Sequence, residues 1–229
     1  MTCPQAGLIR HGDYHQRDRV PSALQPFPLT ARGEEQAQAC GEDLAMLIAE
    51  GGYALDPVVH CSCQLRAWQT ARIACDVLER HGHALRINQT TALSERSLGS
   101  AANLTLEEIE AALAADPRCE PPPPGWKSDS DYCLPLQGAE SLMMAGARVG
   151  RYLTQAMADK APGTLSLFFG HGAWFRHAAH LMGVLTRDEI ARFSMYHARP
   201  LRLCHNRDGT WAHSGGEWKI RQKTEQMLD

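Results

Sequence analysis

Apolar residues along this chain come in two alternating patterns: short continuous runs, and runs spaced by three and four. Ala6-Gly7-Leu8-Ile9 is a continuous run that predicts a short buried strand leading straight into Arg10-His11-Gly12. Asp13 to Pro28 is polar and punctuated by proline, and predicts a loop. Thr30 stands where an N-cap is wanted, and Ala37, Cys40, Leu44 and Leu47 after it share one helical face. Gly51-Gly52 closes that helix. Val58 to Cys61 predicts a second strand, followed by a helix from about Leu65 to Arg80 with Ala67, Ala71, Ala74 and Leu78 inward. His81-Gly82-His83 ends it, and Leu85 to Ile87 reads as another strand.

Further along, Thr105-Leu106-Glu107-Glu108 is a capping box, with a threonine at the cap and a glutamate three residues on. Its helix runs to about Ala115. From Asp116 to Gly138 the chain changes character: Pro121 to Pro124 is a stiff extended run, and Trp126, Lys127 and several polar residues follow. This stretch predicts an excursion that covers or borders a site. A long helix resumes near Glu140 and runs to about Ala158. Thr164 to Phe169 is the cleanest strand, a continuous apolar run of the kind expected at the centre of a parallel sheet. It leads into Gly170-His171-Gly172, with a helix beginning near Trp174. Thr186 to Glu189 is a second capping box. Leu201–Cys204 and Thr210–Ala212, joined by Asn206-Arg207-Asp208-Gly209, predict a hairpin, and the last residues a polar tail.

Strands and helices that alternate in this way predict an α/β fold, a three-layer α/β/α arrangement with a mainly parallel central sheet. The 229 residues fit one domain over 1–229, with 116–138 as its lid or cap. With 44% hydrophobic and 21% charged residues the chain has the material for a core without metals or disulfides as staples. A net charge of -3 gives no sign of a nucleic-acid partner, and no apolar stretch approaches a membrane span. The eight cysteines could form a disulfide framework, but no apolar signal segment precedes them. The expectation is a reduced, cytoplasmic protein whose thiols are mostly structural. Cys61 and Cys63 beside His60 lack the second pair of a zinc site, so strand burial is the better account of them.

In parallel α/β sheets, ligands gather at the carboxyl ends of the strands, and the reactive residues are predicted to lie there. Arg10 and His11 follow the first strand, Ser62 and Arg66 the second, and His171 the Thr164–Phe169 strand. Guanidinium groups match phosphate oxygens in a two-pronged geometry. A neutral imidazole attacks phosphorus, and a charged one holds a phosphate. The glycines after His11 and His171 are expected to let a ligand approach the backbone.

These residues resemble the motifs of the histidine phosphatase superfamily, the phosphoglycerate mutase-like family. Leu8-Ile9-Arg10-His11-Gly12 is similar to its R-H-G signature, and Pro28 to Ala37 to its P-L-T-x-x-G-x-x-Q-A helix start. Ser62 to Ala71 resembles S-x-x-x-R-A-x-Q-T-A, and Leu93 to Gly99 the L-x-E-x-x-x-G acid loop. Gly138 to Ser141 resembles G-x-E-S, and Phe169-Gly170-His171-Gly172 with Arg176 the second-histidine motif. The six motifs arrive in family order across residues 6 to about 180. The resemblance implies His11 as nucleophile, Arg10, Arg66 and His171 as holders of the phosphoryl oxygens, and Glu95 as general acid and then base. It implies no cofactor and no metal, since the arginines supply the positive charge. Asp13 and Glu140 stand as rival carboxylates, Glu140 also fitting a helix N-terminus.

Within the family, the cofactor-dependent mutases show R-H-G-E followed by an asparagine, whereas here Asp13 to Gln16 follow, with Arg17 at the asparagine's place. The mutase acid loop reads L-N-E-R-H-Y-G, against Ser94, Ser97 and Leu98 here. The proline run resembles a mutase feature, yet only Arg118 stands before it where paired arginines are expected. These departures favour a phosphatase acting on a phosphomonoester. The alternatives are phosphoglycerate mutase-type transfer and a non-catalytic module that binds a phosphorylated ligand. A phosphorylated small molecule is the expected partner, with a phosphoprotein as the alternative suggested by Tyr14-His15.

Overall fold

The computed structural model describes residues 3–21 and 24–221. Along the chain lie β1 (Gln5–Arg10), α1 (Ala31–Gly51), β2 (Ala54–Leu55), β3 (Val58–Ser62), α2 (Leu65–Arg80), β4 (Arg86–Thr90), α3 (Leu106–Ala115) and α4 (Leu142–Met157). There follow β5 (Thr164–Gly170), α5 (Gly172–Leu181), α6 (Arg187–Arg192), β6 (Phe193–Ser194), β7 (Leu201–His205), β8 (Trp211–Gly215) and β9 (Lys219–Ile220). The main sheet has the order β4-β3-β5-β1-β7-β8, with β2 also on β5. From β4 to β1 all pairings are parallel, and the β7–β8 hairpin joins β1 antiparallel.

The β5 strand is apolar on both faces because both are covered. Leu165, Leu167 and Phe169 pack with α1 and α2 in one core, while Phe168 packs with α4 and α5 in the other. The strand beside it alternates likewise, with Ala6 and Leu8 toward the α4–α5 layer and Ile9 toward the α1–α2 layer. Burial of these two cores is the main driving force for the three-layer arrangement. A third cluster of Leu98, Ile109, Leu113, Trp126 and Leu134 ties α3 to the 116–138 segment. Trp126 is 4% exposed, with its indole N–H on Glu110.

Local chemistry explains the element ends. The Thr30 hydroxyl accepts from the Gly33 N–H, and Gly52 ends α1 in the left-handed region at φ 60°. Thr105 and Thr186 each complete the capping box. Ser141 rather than Glu140 opens the α4 region as N-cap, and α5 starts at Gly172, two residues before the expected Trp174. The strand expected at Leu85–Ile87 lies at Arg86–Thr90, because register with Val58–Ser62 sets it and its outer residues are polar. β2, β6 and β9 span two residues each, too short to show a period. The expected polar tail falls largely on residues 222–229, outside the described residues. No helix among the described residues is long and apolar enough to cross a membrane.

One expectation is corrected. Cys3 and Cys204 form a disulfide, so the thiols are not all reduced. The two are 201 residues apart and meet because β1 and β7 pair with Gln5 opposite Cys204, a contact that no local pattern reveals. Cys40, Cys61 and Cys75 are buried and free, and burial pushes all three thiols up, Cys75 to about 12. Cys63 is exposed. Thiol titration of unfolded, unreduced protein should therefore find six reactive groups, rising to eight after reduction. Eight before reduction would remove the bridge.

Candidate active site

Parallel strands β1, β3 and β5 release their next residues at the same edge of the sheet, and that edge carries the chemistry. The His11 N–H donates to the Gly170 carbonyl at 2.9 Å, so the exits of β1 and β5 are joined by one bond. His11 is 3% exposed, and Arg66 and His171 are fully buried.

The tautomers of both histidines follow from their partners. His11 Nδ1 lies 2.7 Å from the Gly12 carbonyl oxygen. A carbonyl only accepts, so Nδ1 carries the proton and Nε2 keeps the lone pair. Arg66 Nη2 lies 3.1 Å from His171 Nδ1. A guanidinium only donates, so this nitrogen accepts, and Nε2–H donates to Ser62 Oγ at 3.1 Å. Arg66 also donates to the Gln25 carbonyl at 3.1 Å, and its guanidinium stacks 4.6 Å over the Tyr14 ring. Glu95 Oε2 lies 3.5 Å from His171 Nδ1 and 3.9 Å from Arg66 Nη2. Gln64 fixes the acid loop through a bond from the Glu95 N–H at 3.1 Å. His11, Arg66, His171 and Glu95 thus form one cluster. Arg10 stands beside it, donating to the Met195 carbonyl at 3.1 Å and adding positive potential at both histidines.

The glycines have a different use from the one expected. A Cβ on Gly12 would lie 2.5 Å from the Gly33 carbonyl oxygen, and one on Gly33 would lie 1.9 Å from that of Asp13. A Cβ on Gly172 would meet the Arg10 side chain at 3.1 Å. What approaches these backbones is the protein itself: the start of α1 and the Arg10 stem. The rival carboxylates are engaged elsewhere. Asp13 accepts from the Thr30 hydroxyl at 2.8 Å, and Glu140 makes a two-pronged pair with Arg148 at 2.8 and 2.7 Å. Among the described residues no group of three or more His, Cys, Asp or Glu could hold a metal ion.

Sequence reasoning missed His197. Its ring stacks on His11 at 5.6 Å and 29°, brought there by a bridge between Arg10 and His197 that extends the sheet. No motif marks it. Ser62 stands at the expected strand exit without an assigned role, and Tyr14, edge-on to His11 at 5.2 Å, figures in the sequence only as a departure from the mutases and a hint of a phosphoprotein. Burial, Arg66 and His171 hold the His11 pKa well below the usual value, and burial with Arg66 and Arg10 does the same for His171.

Comparisons with known proteins bear on the chain as a whole. The family model of the histidine phosphatase superfamily (branch 1) matches residues 7–215. A 2,3-bisphosphoglycerate-dependent phosphoglycerate mutase of Rhizobium meliloti (strain 1021) is 28% identical over 90% of this chain and 92% of its own. Among solved structures, a mycobacterial glucosyl-3-phosphoglycerate phosphatase in complex with inorganic phosphate superposes with a TM-score of 0.66 at 20% identity, over 99% of this chain and 100% of its own. A phosphoglycerate mutase from Bacillus anthracis str. Sterne gives 0.68 at 17% identity, over 94% and 93%. At these identities the structural likeness speaks for the fold.

The buried histidines also set a pH dependence. His11, His171 and His177 have folded pKa values below 6.5, His177 at about 4, with burial the first cause in each. As pH falls below 6.5 the unfolded chain takes up protons first. Stability is therefore full above about pH 6.5 and is lost towards pH 4, by up to about 1.4 kcal/mol per pH unit for each group. Urea midpoints should fall progressively between pH 7 and 5, and less steeply in His177→Gln. A flat profile would mean that these histidines ionise as they do in water.

Proposed function

The chain belongs to the histidine phosphatase superfamily (branch 1), and on that premise we propose that it hydrolyses a phosphomonoester through a phosphohistidine on His11. The observation that carries the reading is the 2.7 Å contact of His11 Nδ1 with the Gly12 carbonyl oxygen. With Nδ1–H held by the Gly12 carbonyl and the ring kept neutral by burial beside Arg66, Nε2 presents a lone pair at neutral pH.

In this reading Nε2 attacks phosphorus while Arg10, Arg66 and His171 hold the phosphoryl oxygens: the His171 Nε2–H turns from Ser62 to one of them, and the two guanidinium groups neutralise the charge spread over them. The bond from phosphorus to the leaving oxygen breaks, and Glu95 gives that oxygen a proton. Water then attacks the phosphohistidine, Glu95 takes its proton, and inorganic phosphate leaves with His11 restored. Ser62 keeps the His171 ring in place.

A mutase reading has support of its own, from the Rhizobium relatives named as phosphoglycerate mutases. The hydrolytic reading is preferred because the chain departs from the mutase pattern at Tyr14 to Arg17 and at Ser94, Ser97 and Leu98.

Release of phosphate from 4-nitrophenyl phosphate, with EDTA present, tests the proposal. Wild type should turn over, and His11→Ala should lose roughly three orders of magnitude or more while keeping its fold. Equal rates in the two proteins would rule out His11 as nucleophile, and interconversion of phosphoglycerates without hydrolysis would favour the mutase. Glu95→Gln should slow alkyl phosphates by about a hundredfold and the activated aryl ester by less than about tenfold, because only a poor leaving group needs the proton. Equal slowing of both would remove Glu95 from that role.

A further inference from the structure

Beside the catalytic cluster, at the carboxyl end of β1, lies a cavity to which the phosphoryl chemistry assigns no role. It encloses about 380 Å³ between the start of α1, the 195–199 turn and residues 217–219. Arg10 and His197 line it, whereas His11, Arg66, His171 and Glu95 do not. Both of these lining residues also face the cluster: Arg10 adds positive potential at His11 and His171, and the His197 ring stacks on His11.

The charge here runs against that of the whole chain. The protein carries a net charge of -3, yet Arg10, Arg32, Arg199 and Lys219 meet in this cavity against one carboxylate among the described residues, Glu217. Like charges gathered in one concavity repel each other, a cost that a bound anion removes. Arg32 is exposed and is the second residue of α1, so its charge sits at the positive end of the helix dipole. Arg199 is exposed and lies 5.6 Å over the Tyr196 ring. Neither of these two makes an ion pair with a described carboxylate. The wall that carries them is held in shape. Ala198 adopts a left-handed conformation at φ 49°, uncommon for a residue with a side chain, and its N–H donates to the Arg10 carbonyl at 2.8 Å. That turn brings His197 and Arg199 to the same cavity. The Arg10 side chain is fixed by its bond to the Met195 carbonyl. Gln36 accepts from the Asp13 N–H at 2.8 Å through its amide oxygen, which leaves its NH2 group as one more donor at the wall.

We propose that this cavity is a second anion site, separate from the phosphoryl-transfer cluster, and that it binds a diphosphate group through Arg32, Arg199 and Lys219. Four cations against one carboxylate leave an excess that a diphosphate offsets more fully than a single phosphate does. The volume lies within the ~300–1,000 Å³ of ordinary small-molecule sites, so the cavity has room for both phosphoryl groups. The diphosphate is either free or the end of a nucleoside diphosphate, for whose base Tyr196, 38% exposed at the rim, provides an aromatic surface.

Calorimetric titration at fixed ionic strength tests this with three ligands, none of them a phosphomonoester: methylphosphonate, methylenediphosphonate and adenosine 5′-(α,β-methylene)diphosphate. The proteins are wild type, Arg32→Gln, Arg199→Gln and, as a control for lost charge, Arg151→Gln on the exposed side of α4. All three substituted side chains are exposed, so the fold is expected to persist. Wild type should bind methylenediphosphonate about tenfold or more tightly than methylphosphonate. That ratio should fall at least about threefold in Arg32→Gln and in Arg199→Gln, and stay within about twofold of wild type in Arg151→Gln. Tighter binding of the adenosine ligand than of methylenediphosphonate identifies a nucleoside diphosphate as the occupant, and equal or weaker binding a free diphosphate. A wild-type ratio near one, or no binding of methylenediphosphonate, would overturn the proposal. So would a ratio unmoved in Arg32→Gln and Arg199→Gln, which would put the ligand in the His11 cluster, or an equal fall in Arg151→Gln, which would make the effect one of overall charge. Turnover is not needed for this test, so failure of aryl phosphate hydrolysis with the ratios intact would sink the phosphatase reading and leave the diphosphate site standing.

Discussion

The contact on which the site depends is the one between Arg66 and His171. A fully buried guanidinium requires acceptors, and here a neutral imidazole nitrogen and the Gln25 carbonyl provide them. That choice has consequences in several directions. It settles the His171 tautomer and turns Nε2–H toward Ser62, which locks the exits of β5 and β3 together. It fastens the loop around Gln25 over the site, and it lays the guanidinium against Tyr14. The same charge helps to keep His11 unprotonated. One arginine at the start of α2 therefore sets both the architecture of the edge and the state of its reactive nitrogen.

Much of this was legible because it is local. His11, Arg66 and His171 each follow a strand within a few residues, and continuous apolar runs mark those strands. The caps at Thr30, Thr105 and Thr186 are legible for the same reason: a cap and the N–H it accepts from lie three residues apart. What was not legible comes from register and return paths. His197 reaches His11 from a segment 186 residues later, and nothing at either position announces the meeting. The Cys3–Cys204 pair is of the same kind. β4 shows the milder form, since its neighbour's register decides where it runs and its polar outer residues hide it.

Function separates along the same line. His11, Arg66 and His171 sit at or just beyond strand exits, inside the stretch that the family model matches. Beyond Glu95 the ground is built from the 95–98 loop, the 116–138 segment and parts of α5 and α6. The 95–98 loop and the 116–138 segment are held by a small core of Leu98, Ile109, Leu113, Trp126 and Leu134, whereas α5 and α6 belong to a core that flanks the sheet. The ground beyond Glu95 thus rests partly on the sheet's own core and partly on a separate one.

The closeness of Gly12 and Gly33 has a consequence for how such a chain can vary. Two backbones touch where neither tolerates a side chain, and Asp13 is tied to Thr30 beside them. The loop between them is pinned at its base like a handle riveted at both ends. It is tied a third time where the Gln25 carbonyl accepts from Arg66, so a change of length that shifts this carbonyl would leave a buried guanidinium short of an acceptor. Any variation of that handle is therefore confined between three fixed ties, and the histidine beneath it keeps its aim.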